Sequence, residues 1–159
     1  METASYNFPV FGFFFSVTFG SINNVIDNAF QEVSGLNVKQ QTEEIKVGGI
    51  NNRVYKVPTR ISYENLVLKR GHVKSKTELT DWVDKQLLYN KKTYITPREI
   101  QVKLLDLKNK NPLMVWYFEG AYPVAWNVSG IDAKNGQILV ETLEFSYSYM
   151  FRQIVGKTK

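Results

Sequence analysis

A period of two dominates this chain. Phe13, Phe15, Val17 and Phe19 alternate with Phe14, Ser16, Thr18 and Gly20, so an extended backbone there carries one wholly apolar face. Ile100, Val102 and Leu104 alternate in the same way with Glu99, Gln101 and Lys103. Near the end, Leu143, Phe145, Tyr147, Tyr149 and Phe151 oppose Thr142, Glu144, Ser146 and Ser148, which reads as one long half-buried strand. Further strands are expected at Phe30–Val38, Thr59–Lys69, Leu113–Phe118 and Tyr122–Val128. Seven or eight strands, each with an apolar face to hide, predict a mainly β fold: an antiparallel barrel or a sandwich of two packed sheets. A chain of 159 residues is one domain's worth, so residues 1–159 are read as a single domain.

Two segments break the period. Ser75-Lys76-Thr77-Glu78 has the form of a capping box, with the Ser75 hydroxyl facing the Glu78 amide, and opens a helix expected over about 75–89. Leu79, Trp82, Val83 and Leu87 give that helix one apolar stripe, so it flanks the sheets, and Trp82 reads as core. The other segment is Glu44–Val57. Gly48-Gly49 and Asn51-Asn52 are turn residues, yet Ile45, Val47, Ile50, Val54, Tyr55 and Val57 are too apolar for a free loop. An extended arm that docks on another subunit would bury them.

The chemistry the chain lacks narrows its function. It has no Cys and a single His, His72, which sits in a turn. No phosphate-binding glycine loop, zinc-protease helix or nucleophile elbow is present. Neither a catalytic residue, nor a metal ligand, nor a cofactor site is therefore expected, and the chain reads as no enzyme. The acids Glu43, Glu44, Glu64, Glu141 and Glu144 fall on strand faces that are expected to be solvated. Trp116, Tyr117, Phe118, Tyr122 and Trp126 are read chiefly as core. The alternative is a base-stacking platform, as in an OB-like module for single-stranded nucleic acid. The net charge of +5 is regional: residues 39–110 hold sixteen basic and eight acidic residues. Those cations are interleaved with acids, which suits a solvated or interface-matching face better than a phosphate-tracking groove. The apolar run at Phe11–Phe15 is far short of the roughly 20 residues of a membrane span, and it lacks the flanks of a signal peptide. Assembly in the cytoplasm without membrane insertion is the resulting expectation.

Several segments carry a family resemblance. Phe30-Gln31-Glu32-Val33-Ser34-Gly35-Leu36 resembles the F-x-x-V-S-G-L segment of contractile-tail tube proteins. Val57-Pro58 then precedes Tyr63–Gly71, which ends in that family's L-K-R-G. The Trp82 helix follows in place. After it come Leu104-Leu105-Asp106, Pro112–Trp116, Ala121–Trp126 and Val140–Tyr147. In order and over nearly the whole chain, these segments are similar to the inner-tube proteins of contractile injection systems: phage tails and phage-tail-like extracellular particles such as antifeeding prophages and Photorhabdus virulence cassettes. Asn24–Phe30 and Phe145-Ser146-Tyr147 look closer to the paralogue that forms the first ring above the spike.

The resemblance implies a homohexameric ring that stacks into a hollow tube, with two hairpins per subunit forming one continuous barrel around the lumen. The implied partners are further copies, a tube paralogue, spike or baseplate, and sheath, with no sequence-specific nucleic-acid contact. Strand alternation then sets Asn37, Lys39, Gln41 and Glu43, with Glu99, Gln101 and Lys103, toward the lumen as a polar wall. The arm residues Ile45, Val47, Gly48, Gly49, Ile50, Asn51, Asn52, Arg53, Val54 and Tyr55 are expected at the subunit or ring interface.

Overall fold

The computed structural model describes residues 14–20, 25–27, 30–46, 54–71, 77–88, 94–107, 110–130 and 138–155. Ten strands and one helix lie among them: β1 (Phe15–Gly20), β2 (Val25–Asp27), β3 (Phe30–Ser34), β4 (Val38–Lys46), β5 (Val54–Tyr63), β6 (Leu66–Gly71), α1 (Glu78–Leu87), β7 (Arg98–Leu105), β8 (Pro112–Val128), β9 (Val140–Ser146) and β10 (Tyr149–Ile154). All pairings are antiparallel. Eight strands form one sheet in the order β2-β1-β7-β8-β9-β6-β3, with β10 joined to β8; β4 and β5 form a separate ribbon.

The two packed layers are halves of that one sheet, folded about β8. Its first part pairs with β7 and β10, its last part with β9. What reads as two strands, Leu113–Phe118 and Tyr122–Val128, is therefore a single strand of 17 residues. Gly120 sits where β8 changes partners, at φ +64, and a Cβ there would crowd the Ser148 hydroxyl. Elsewhere the breaks run the other way. Phe30–Val38 is interrupted at Gly35, Thr59–Lys69 at Glu64-Asn65, and the C-terminal strand at Tyr147-Ser148. Gly35 adopts φ +82, and any Cβ on it would collide with the Asn65 carbonyl, so the turn after Ser34 requires glycine.

The apolar faces meet between the halves. Val17, Phe19, Ile100, Val102 and Phe118 pack against Leu66, Leu68, Leu143 and Phe145. Phe19 lies 6.2 Å from Phe30 and 6.0 Å from Phe145, ring centroid to centroid. Helix α1 closes one side: Leu79, Trp82 and Val83 are buried, and the Trp82 ring stacks on Phe145 at 5.6 Å. The indole N–H donates to the Thr96 carbonyl at 3.0 Å, so burial leaves no orphaned donor there.

The helix starts later than the sequence suggests. Thr77, not Ser75, is its N-cap; the Thr77 hydroxyl accepts from the Thr80 amide at 3.2 Å, and the Thr80 hydroxyl accepts from the Thr77 amide at 2.8 Å. That reciprocal pair satisfies the first-turn donors with two threonines. It frees Glu78 to pair with Arg98 at 2.9 Å, whose guanidinium also lies over the Trp82 ring. Ser75 and His72 lie outside the described residues.

Candidate functional site

Among the described residues, β4 and β5 pair only with each other, and nearly every residue along them is exposed. The arm expected over Glu44–Val57 is the outer half of this hairpin. Val47, Gly48, Gly49, Ile50, Asn51, Asn52 and Arg53 lie outside the described residues. Ile45, Val54 and Tyr55 are between 51% and 57% exposed, far more than an isolated subunit's core-facing strand would tolerate.

Register assigns the faces. Lys39 stands opposite Ser62, Glu43 opposite Val57 and Ile45 opposite Tyr55, so these side chains share one face with Gln41. Val38, Gln40, Thr42, Glu44 and Lys46 share the other with Tyr63, Ile61, Pro58, Lys56 and Val54. A bulge in β5 opposite Gln41 separates the inner and outer halves. The Thr59 hydroxyl donates to the Gln41 carbonyl at 3.1 Å and the Ser62 hydroxyl to the Lys39 carbonyl at 3.2 Å, tying the strands on either side of it.

Neither face is uniform along its length. On the second face the inner half carries Val38, Ile61 and Tyr63, and the Tyr63 ring packs on Tyr147 at 5.5 Å and Tyr149 at 6.5 Å. Its outer half carries the Glu44–Lys56 ion pair at 3.5 Å. On the first face Lys39, Gln41 and Ser62 line the inner half, and Ile45, Tyr55 and Val57 share the outer one with Glu43, which stands opposite Val57. The β4 residues expected in the lumen (Lys39, Gln41 and Glu43) and two of those expected at the interface therefore share a face, while Val54 lies on the opposite side.

Asn37 precedes β4, and its side-chain amide donates to Glu64 at 2.8 Å. Glu99, Gln101 and Lys103 belong to β7, on the face opposite buried Ile100 and Val102. They stand beside Gly20, Thr18 and Ser16 of β1, and the Gln101 amide donates to Glu99. The structure does not join this set to the β4 set within one copy, since β7 pairs with β1 and β8.

One constellation escaped the sequence reading. Glu141, expected on a solvated face, is 2% exposed, and Arg70 opposite it on β6 is fully buried. The Arg70 Nε donates to Glu141 Oε2 at 2.6 Å, the Trp126 indole donates to Oε1 at 2.6 Å, and the guanidinium lies 5.5 Å from the centre of the Phe30 ring. Trp126, Glu141, Arg70 and Phe30 come from β8, β9, β6 and β3, which are consecutive neighbours. Together they strap four strands crosswise. The L-K-R-G and V-E-T-L segments were visible in the sequence; their partnership across 71 residues was not.

The aromatic residues do not assemble into a base-stacking platform. Phe118 is buried, Trp116 and Trp126 pack against the core, and Tyr117 stacks on Phe151 at 4.6 Å. Burial first, then Tyr63 and Glu64 nearby, push the Tyr147 phenol up to about 12. Among the described residues no group of three or more His, Cys, Asp or Glu is placed to hold a metal ion, and no helix is long and apolar enough to cross a membrane.

Residues 12–151 match the family of the T4-like virus tail tube protein gp19. A chain of the anti-feeding prophage (AFP) baseplate, six-fold symmetrised, superposes with a TM-score of 0.84 at 28% identity, over 93% of this chain and 97% of that one. A chain of the PVC sheath–tube complex in its extended state gives 0.79 at 26% identity, over 94% and 95%. Hcp1 from Flavobacterium johnsoniae shares the fold at 19% identity, with a TM-score of 0.58 over 87% of this chain and 93% of that one. Comparison with curated protein sequences finds no match. Sequence family and fold thus agree over nearly the whole length, and the chain belongs to the T4-like virus tail tube protein family, as a tail tube protein of contractile injection systems.

Proposed function

We propose that the chain, as a single domain over residues 1–159, is a structural subunit that closes into a homohexameric ring and has no catalytic role. Rings stack into a hollow conduit, which a contracting sheath drives through a target envelope. The observation that carries this reading is the β4–β5 hairpin: a ribbon of nine- and ten-residue strands, paired among the described residues only with itself, exposed, and carrying apolar side chains on both faces. An isolated two-stranded ribbon is marginal in water, and open edges invite pairing. A head-to-tail ring covers both, because each copy offers its hairpin to the next and the rotation closes.

In that ring Asn37, Lys39, Gln41 and Glu43, with Glu99, Gln101 and Lys103 contributed alongside, form a mixed-charge lumen wall that holds water and offers cargo few apolar patches. The arm residues 45–55 make the contacts between subunits or rings. The neighbour in the six-fold symmetrised AFP baseplate has both the higher identity and the higher TM-score of the two closely similar particles, which supports a place in the first ring, between spike or baseplate and the repeating tube. Assembly takes place in the bacterial cytoplasm, beside sheath and baseplate partners, in a phage tail or a tail-like extracellular particle.

Native mass spectrometry and negative-stain microscopy of the purified chain test the reading. Six-subunit rings are expected, and removal of Gly48–Lys56 abolishes them while the circular dichroism of the β fold persists. A chain that stays monomeric at high concentration, or rings that survive the deletion, would overturn it. Six copies per particle identify the first ring; many multiples of six identify the repeating subunit.

A further inference from the structure

From Phe145 to Val155 the chain carries a single charge, Arg152. Around it stand Tyr149, Met150, Phe151, Gln153, Ile154 and Val155, rich in strand-forming residues and free of proline, the composition of a segment that stacks with copies of itself. The fold puts this run where such stacking starts. Among the described residues β10 pairs only with β8, so its other edge presents unpaired backbone donors and acceptors, and Tyr149, Phe151 and Ile154 are exposed along it.

Arg152 stands at the sensitive point of that edge. Register sets Met150 opposite Phe118, Arg152 opposite Trp116 and Ile154 opposite Met114, and residues directly opposite share a face. Phe118 is fully buried, and Trp116 and Met150 pack against the core, so Arg152 lies on the core-facing side of the edge strand. It stays exposed because the sandwich is open there, in a cleft of about 410 Å³ lined by Leu36, Val38, Trp116, Met150, Phe151 and Arg152 itself. Among the described residues no carboxylate pairs with it.

We propose that Arg152 is a guard residue, which keeps the open β10 edge of a free subunit from pairing with the same edge of a second copy. A strand added to β10 would continue the core-facing side and cover the cleft. The guanidinium cannot give up its proton, so it would lose its water there with no opposite charge to replace it. A charge of either sign at this position acts in the same way. An apolar residue would instead extend the apolar floor and invite the added strand. The device acts on the subunit before assembly, whatever ring it later joins.

The full chain is compared with Arg152→Leu, Arg152→Lys, Arg152→Glu and a control, Lys85→Leu, which removes one exposed positive charge from α1. Thioflavin T fluorescence and sedimentation follow aggregation at equal concentrations without denaturant, and urea midpoints follow stability. Arg152→Leu is expected to shorten the lag before thioflavin T binding by about tenfold or more. Its urea midpoint should stay within about 0.3 M of the parent's, the span of an ordinary surface substitution. Arg152→Lys, Arg152→Glu and Lys85→Leu are expected to keep the parent's lag. An unchanged lag in Arg152→Leu overturns the proposal. So does an equally short lag in Lys85→Leu, which makes general loss of charge the cause, or in Arg152→Glu, which makes a specific contact of the cation the cause. A midpoint lowered beyond that span traces the aggregates to unfolding and overturns it too. If Arg152→Leu forms rings sooner and binds no thioflavin T, the edge needs no guard and the proposal is overturned.

Discussion

Replacing Glu141 with Gln keeps the shape of the crosswise strap but removes its negative charge and leaves one carbonyl acceptor where the carboxylate offers two, one to the Arg70 Nε and one to the Trp126 indole. Arg70 is fully buried and cannot give up its proton, so its guanidinium stays charged inside the sheet after the group facing its Nε has become neutral. Breaking one side of such a pair costs about 3–5 kcal/mol. With a urea slope of about 2 kcal/mol/M, the unfolding midpoint falls by roughly 1.5–2.5 M. Tryptophan fluorescence during urea unfolding, at low protein concentration, reads the loss. Glu44→Gln is the control: its pair with Lys56 is 57% and 65% exposed, and exposed pairs contribute at most about 1 kcal/mol. Arg70→Met with Glu141→Leu should recover part of the loss, because removing both charges also removes their desolvation, while the Trp126 indole loses its acceptor. If Glu141→Gln shifts the midpoint no further than Glu44→Gln, the strap is not what holds these four strands together.

Other consequences are simpler to check. Gly35→Ala forces a left-handed backbone that by itself costs about 1–3 kcal/mol and adds the collision with the Asn65 carbonyl; thermal unfolding should show a lower midpoint with the fold retained. Trp82→Ala empties the space between Phe19 and Phe145 and should cost about 3–5 kcal/mol in the same urea assay. Tyr147 titrates at about 12 when folded against 10 when unfolded, so its contribution is complete below pH 10 and is lost as pH rises from there through about 12. Tyr147→Phe should accordingly flatten stability against pH between those limits, measured by urea midpoints across the range.

The alternating residues made the strands around Val17, Ile100, Val102, Leu143 and Phe145 legible, because a half-buried strand writes its geometry directly into the sequence at period two. The helix was legible for the same reason at its own period, through Leu79, Trp82 and Val83. Its start was not. Ser75 and Thr77 offer the same cap chemistry, and only the reciprocal fit with Thr80, together with the pull of Arg98 on Glu78, favours the later one. Two strand limits failed where backbone conformation outweighed side-chain pattern: at Gly35, whose positive φ ends β3, and at Gly120, which lets β8 run on and change partners.

The sequence by itself determined the fold class and the family, since each rests on local pattern or on ordered motifs. Tertiary structure decided which residues meet. Glu141 looks like any acid on an alternating strand until Arg70 and Trp126 arrive from strands distant in the chain. The polar set and the arm likewise read as separate features until the register of the hairpin places Lys39, Gln41, Glu43, Ile45 and Tyr55 on one face. Pairing across long separations sets the surroundings of a charge and the side on which an apolar patch emerges, and no local window of sequence contains that information.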